Sequence, residues 1–309
     1  MKLTFRRQLL RPKYRFQTAQ GGVDEKQTVV VSLEHDGIVG CGEAVSSRLY
    51  GQTLETTEET LEAIAAEFEC SELSPFAIEP LISDILNKHD TQRAAVAAVD
   101  SALHDWVAQR WGTPVWRLLG LTAPRVQTVF TIGIAGLEET KQKVDEALAD
   151  GYRALKVKIG TPNDLQTLDL IRNKFEGRLL LDANEGWTPD NAAQRMRELA
   201  RFKPAMIEQP LKKDQWQHLR SLRELGIAPL FADESCERPA DVVKLAGLVD
   251  GVNVKFTKCG GIREALKMLA LARGLGMMAM VGCFVSSSLA IAPALAIAGL
   301  FDFATTRSK

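Results

Sequence analysis

Five polar residues, each closing a short apolar run, fall at nearly even intervals through the second half of this 309-residue chain. They are Lys158 in ALKVK, Asp182 in LLLD, Glu208 in MIE, Asp233 in LFAD and Lys255 in VNVK, separated in order by 24, 26, 25 and 22 residues. Most of these runs lead into a stretch with helical spacing. A strand, a crossover helix and the next strand need about this much chain, and strands joined that way lie parallel through right-handed crossovers. The strands read from the sequence are Val126–Ile134, Ala154–Lys158, Leu179–Asp182, Ala205–Glu208, Leu230–Asp233, Gly251–Lys255, Met278–Val281 and Leu300–Ala304. Helices fill the gaps, as at Leu137–Asp150, Pro189–Phe202, Leu211–Leu225 and Ile262–Leu275. The pattern predicts an α/β fold, a (β/α)7β-type TIM barrel lacking its last helix. All five polar groups would then share the rim at the strands' C-terminal ends, where such barrels carry their chemistry. The competing fold, a doubly wound open sheet, would normally carry GxGxxG early on, and that motif is absent.

The first part of the chain reads differently. Thr28–Leu33 is β-branched and strand-like, Asp36-Gly37 is a hairpin turn, and Ile38–Glu43 is the return strand. Helical patterns follow at Thr57–Phe68, Pro75–Asn87 and Thr91–Arg110, with one further turn at Val115–Leu119. Strands first and helices after suggest an α+β unit over residues 1–120, with the barrel over 121–309.

Charge and hydropathy narrow the function classes. Net charge is −1 with no basic stripe, which argues against nucleic acid as a partner. Met277 to Phe301 carries no charge until Asp302 and is long enough to cross a bilayer, yet its Gly282, Ser286 to Ser288, Pro293 and Gly299 fit a buried strand, a turn and a buried helix better. The N-terminus has no long apolar segment of the signal-peptide kind. Five scattered cysteines without a CxxC pair fit a reducing cytoplasm.

Three carboxylates converging at adjacent strand ends would repel and rise in pKa unless a cation sat between them. A hard dication with oxygen ligands, Mg2+ with Mn2+ as substitute, suits Asp182, Glu208 and Asp233. The four histidines lie outside the constellation, against zinc. Taken singly, each acid reads as a helix N-cap and each lysine as a solvated charge. Lys156 and Lys158 alternate on one strand and share a face, so mutual repulsion is expected to depress their pKa and suit one of them to act as a base. Lys255, four strands on, would face them across the barrel mouth. Lys258 reads as the beginning of the next loop. Together these groups suggest removal of a proton next to a carboxylate, with the resulting enediolate stabilised by the metal and a second lysine either delivering a proton to the opposite face or stabilising a β-elimination.

KVK, DAN, IEQP, ADES, NVK followed by CGG, and VGCF resemble the muconate-lactonizing branch of the enolase superfamily, for which a lysine base with Mg2+ is a general pattern. The likeness runs from GCGEA near residue 40 to the end. It implies an N-terminal α+β capping domain that closes over the barrel, Lys158 and Lys255 as the two acid/base residues, Lys156 as support for Lys158, and Asn184 as a nearby polar group. FTIGI, DANEGW, ADESC, KCGG and GCF are most similar to dipeptide epimerases of the L-Ala-D/L-Glu type. That likeness places Thr131, Ile134 and Cys283 beside the substrate and makes Arg48 and Tyr50 of SRLYGQ the capping loop that touches its side chain. It implies an isomerase acting on a small molecule, and related barrels often form homo-oligomers. Two departures stand out. The Asp-x-Asp that dipeptide epimerases carry after the eighth strand is replaced by Phe303-Ala304-Thr305-Thr306-Arg307, and a glutamate often found after GCM-x is replaced by Ser286. The sequence also lacks the segment that usually returns to the capping domain. The alternatives are an o-succinylbenzoate synthase or N-succinylamino acid racemase, sharing the site, and a catalytically silent barrel.

Overall fold

The computed structural model describes residues 1–12, 16–19 and 21–305. Five strands open the chain: β1 Lys2–Leu10, β2 Phe16–Thr18, β3 Gly21–Val23, β4 Lys26–His35 and β5 Ile38–Ala44. Helices α1 Leu54–Cys70, α2 Ile78–Lys88, α3 Arg93–Arg110 and the single turn α4 Val115–Leu118 follow. β1, β4 and β5 form an antiparallel sheet in that order, with β1 an edge strand that the sequence reading missed. Its inner face buries Leu3, Val29, Val31 and Leu33 against Leu61, Ile64, Phe68, Ile82, Val99 and Trp106 of the helices. The sheet and α3 come together because both surfaces are small. A Cβ on Gly40 would lie 2.1 Å from the Ala102 carbonyl oxygen, and one on Gly42 would lie 2.0 Å from that of Ala98. Alanines on the helix and glycines on the strand are therefore one feature.

The remainder alternates strand and helix. β6 Phe130–Ile132, β7 Ala154–Lys158, β8 Arg178–Asp182, β9 Met206–Glu208, β10 Leu230–Ala232, β11 Gly251–Lys255, β12 Met278–Gly282 and β13 Phe303–Thr305 form an eight-stranded parallel sheet in sequence order. A parallel bridge between Thr128 and Ala304 joins the first strand to the last and closes the barrel. Its helices are α5 Leu137–Ala149, α6 Asp164–Arg172, α7 Pro189–Leu199, α8 Leu219–Arg223, α9 Pro239–Leu245, the short α10 Phe256–Cys259, α11 Ile262–Gly274 and α12 Ser288–Ile297. The expected fold is therefore present. Several boundaries differ, three of them in the barrel's strands and the Leu211–Leu225 segment. The first strand is much shorter than Val126–Ile134. Leu211–Leu225 is not one helix but a 3-10 stretch, Lys213–His218, kinked at Gln215, before α8. The eighth strand begins at Phe303 rather than Leu300. The Met277–Phe301 stretch is strand and helix as expected, and no described helix is long and apolar enough to cross a membrane.

Alternation along the strands separates two surfaces. Leu155, Val157, Leu179, Leu181, Ile207, Leu230, Val252, Val254 and Val281 face outward into the layer packed against helices. Val129, Ala154, Leu180, Met206, Phe231, Met280 and Phe303 fill the barrel's lower interior. Phe231 needs Gly251 beside it, since a Cβ there would sit 2.5 Å from its ring. One inward step further along the same strands, apolar residues give way to Lys156, Asp182, Glu208 and Asn253, all buried. The apolar plug thus forms the floor of a polar site.

Candidate active site

Strand register brings the predicted carboxylates together. Lys158 pairs with Asp182 across β7 and β8, and Asp182 with Glu208 across β8 and β9. Asp233 directly follows β10. The three carboxylates are fully buried, and each offers an oxygen that lies within 4.8 Å of the others. An all-oxygen donor set of this size fits a hard divalent cation such as Mg2+.

Each carboxylate has one oxygen fixed by the scaffold and one turned inward. Asp182 Oδ1 accepts from the Asn184 backbone N–H at 3.0 Å, Glu208 Oε1 from Asn253 Nδ2 at 2.7 Å, and Asp233 Oδ1 from Lys258 Nζ at 2.8 Å. The inward oxygens meet the other lysines. Lys158 Nζ lies 2.6 Å and Lys156 Nζ 2.7 Å from Asp182 Oδ2. Lys156 Nζ is also 2.7 Å from Glu208 Oε2, and Lys255 Nζ is 2.5 Å from Asp233 Oδ2.

This pairing reverses two electrostatic expectations. Burial alone would lower the Lys156 ammonium, but Asp182 and Glu208 outweigh it and raise the group instead. Burial likewise opposes Asp233 at Lys255, and Asp233 wins, so that lysine is also raised. The acids do not all rise. Burial pushes Asp182 upward, yet Lys156 and Lys158 hold it at about 2. Asp233 is held far below the usual carboxylate range by Lys255 and Lys258 against the same burial. Glu208 alone of the three is raised, by burial and then by Asp182. Repulsion between like charges along one strand is outweighed by contact with the neighbouring strand, which decides the sign.

Four groups at the site escaped the sequence reading. Lys258 does not begin a loop: it lies in α10, fully buried, and donates to the Asp233 carbonyl at 2.6 Å, Asp233 Oδ1 and the Asn253 carbonyl at 3.0 Å. Its spacing of three from Lys255, before Gly260-Gly261, was the available signal. Asn253 sits two residues before Lys255 and so shares its inward face. Glu234 accepts from Asn184 Nδ2 at 3.0 Å, and burial together with Asp233 and Asp182 pushes it to about 8. Phe284 places its ring centroid 4.7 Å from Lys255 Nζ.

The expected substrate contacts are spread more widely. Thr131 is in register with Lys156 and half-buried on the inward side of β6. Cys283 Sγ reaches the Thr305 carbonyl at 3.1 Å, and burial pushes its thiol to about 11 against Lys255 and Lys156. Asn184 adopts φ 41°, a left-handed value that asparagine tolerates, as its amide reaches Glu234. Tyr50 packs edge-on against Phe284, with ring centroids 6.0 Å apart, and burial followed by Asp233 and Glu234 raises its phenol. Ile134 donates its N–H to the Gln17 carbonyl at 2.9 Å, where the β2–β3 hairpin meets the rim. Arg48 is exposed and opens the short 3-10 turn Arg48–Tyr50. Thr305 ends β13; Thr306 and Arg307 lie outside the described residues.

The rim of the parallel barrel thus carries an acid triad that could hold a metal ion, with lysines against its inward oxygens. The chain belongs to the mandelate racemase/muconate lactonizing enzyme family: residues 3–120 match its N-terminal domain and residues 139–307 the enolase C-terminal domain-like family. It is similar to the L-Ala-D/L-Glu epimerase of Bacteroides thetaiotaomicron, with 37% identity over 98% of this chain and 79% of that protein. A hydrophobic dipeptide epimerase of a Flavobacteria bacterium is 34% identical over 98% of this chain and 88% of that protein. Among solved structures, the dipeptide epimerase of Enterococcus faecalis complexed with Mg and L-Leu-L-Tyr superposes with a TM-score of 0.93, at 32% identity, over 99% of this chain and 89% of that one.

Proposed function

We propose that this protein is a Mg2+-dependent epimerase that inverts the α-carbon of a dipeptide by a two-lysine proton transfer. The observation that carries the reading is the placement of Lys158 and Lys255 on opposite sides of the Asp182–Glu208–Asp233 cluster, four strands apart in one barrel. Asp182, Glu208 and Asp233 would hold the cation through their inward oxygens. When bound, it supplies positive charge to the substrate carboxylate and makes the neighbouring C–H more acidic. Lys158 takes the α-proton from one face, and Lys255 delivers a proton to the other; the reverse reaction exchanges their roles. Lys156 stays between Asp182 and Glu208 as a fixed charge beside Lys158. The dipeptide assignment rests on the relatives, whose names specify dipeptides.

One observation favours a second reading. Among the described residues of β13, Phe303–Thr305, there is no carboxylate to receive a substrate ammonium group. An N-acylated amino acid has no such group, and the N-succinyl Arg/Lys racemase of Bacillus cereus shares the fold, with a TM-score of 0.90 at 25% identity. Incubation with Mg2+ in D2O, against a pool of L,L-dipeptides and N-succinylamino acids, separates the two readings by mass spectrometry. Deuterium in dipeptides is the expected result. Label only in the succinylated compounds would move the assignment to the racemase.

A further inference from the structure

A buried route links the barrel site to helix α3 of the N-terminal domain. Lys258 uses its three ammonium protons on the Asp233 carbonyl, Asp233 Oδ1 and the Asn253 carbonyl, so it has no proton left for a substrate. The backbone just beyond it is held from outside the barrel. Arg93 Nη1 donates to the Cys259 carbonyl at 2.6 Å, and Asp100 Oδ2 accepts the Ile262 N–H at 2.7 Å. Both residues lie on α3, two turns apart on one face, and both are buried. The fit is tight: Gly261 has φ 117°, and a Cβ there would lie 2.4 Å from Asp100 Oδ2. A second link closes the frame. Asp90 pairs with Arg93 and also with Arg238 at 2.5 Å, in the segment that follows Asp233.

We propose that Arg93 and Asp100 are positioning residues for Asp233, acting through the backbone of residues 259–262 and the ammonium of Lys258. This inference rests on the reading of Asp233 as a cation ligand. Coulomb's law gives the test its sharpness. Arg93 and Lys258 are both positive, so on charge alone deleting either would favour a bound cation. A variant at Arg93 that weakens cation binding therefore reports lost orientation of Asp233 rather than lost charge.

The experiment is titration calorimetry of Mg2+ into the substrate-free protein, paired with thermal unfolding. Loss of a residue that orients a metal ligand typically weakens affinity about 10- to 100-fold. Arg93 acts one step further away, so Arg93→Met is expected at the lower end, roughly 10-fold, with Arg93→Lys recovering most of the loss. Asp100→Asn, which keeps an acceptor for the Ile262 N–H, gives a smaller loss and serves if Arg93→Met does not fold. In a Lys258→Arg background the Arg93→Met effect should shrink, because the two residues act in series. Unchanged or tighter Mg2+ binding, with only a lower melting temperature, would overturn the proposal and leave α3 as a plain fastener. Because the readout needs no substrate, a chain that binds Mg2+ in this way but exchanges no dipeptide proton would refute the activity and not the positioning.

Discussion

Lys158 and Lys255 are given equivalent tasks in the proposed reaction, but different kinds of structure hold them. The Lys158 side takes its charged groups from barrel strands alone: β7 supplies Lys156 and Lys158, β8 supplies Asp182, and β9 supplies Glu208, while the β2–β3 hairpin touches the rim beside them at Ile134. The Lys255 side draws on four places. β11 carries Lys255, α10 carries Lys258, the segment after β12 carries Phe284, and the capping domain brings Tyr50 against Phe284. One side is set by strand register, which a single substitution rarely shifts. The other depends on elements that meet only when both domains are docked. In the proposed reaction the two proton transfers would therefore be open to separate tuning.

The largest expected effect comes from removing either base. Lys158→Ala and Lys255→Ala should each slow epimerisation about 100- to 10,000-fold, the usual contribution of a positioned acid/base group. The informative part is what survives. In D2O each variant should still exchange the α-proton of one epimer, and the two variants should keep opposite epimers. Full interconversion by both variants would sink the two-lysine scheme, and loss of the same epimer's exchange in both would show that the sides are not complementary.

A smaller effect tests the link between the Lys255 side and the capping domain. Burial, opposed by His104 and the Ile262 N–H and reinforced by Glu264, pushes the Asp100 carboxyl to about 6. An unfolded aspartate titrates near 3.9. The folded chain therefore binds this proton more tightly, and the associated stability is fully present below about pH 4 and is lost as pH rises through about 6. The shift amounts to about 3 kcal/mol at most. Chemical denaturation at pH 4.5 to 7 should show a stability difference between the parent and Asp100→Asn that changes in this window. A constant difference would mean that Asp100 titrates normally and that the docking surface is wetter than its geometry implies.

The barrel was legible because its information is periodic. Apolar runs at even intervals, each ended by a polar residue, fix strand order and rim together, and this located Asp182, Glu208 and Asp233 without any contact being known. The missed parts have non-periodic causes. β1 is an edge strand whose outer face carries Lys2, Thr4, Arg6 and Gln8 and whose inner face is interrupted by Arg7, so it lacks a dense apolar run. Lys258 looks like a loop residue from its glycine neighbours, and only docking of α3 shows that the loop is a buried helical turn. The sign of the lysine shifts depended on partners in adjacent strands. Local spacing places residues on a face; it does not reveal which charges on neighbouring elements will touch them.

Phe284 offers the finest test of the asymmetry. Its ring faces the Lys255 ammonium at 4.7 Å. A cation over an aromatic face in a desolvated setting gains about 2 kcal/mol, and less when water intrudes. Phe284→Leu keeps an apolar side chain but removes that face, so exchange at the epimer served by Lys255 should change by roughly 5- to 30-fold, the rate equivalent of about 1 to 2 kcal/mol. Exchange at the epimer served by Lys158 should stay within about two-fold, below about 0.5 kcal/mol. Phe284→Tyr retains the ring and should behave like the parent. The contact stabilises the charged lysine, so removing it favours the neutral base and should accelerate proton abstraction by Lys255 if that step limits exchange. Slower exchange would instead mean that the ring's main service is to hold Lys255 in position. An equal change at both epimers would show that Phe284 acts through substrate binding common to both directions, and the two sides of the site would then differ in construction but not in chemistry.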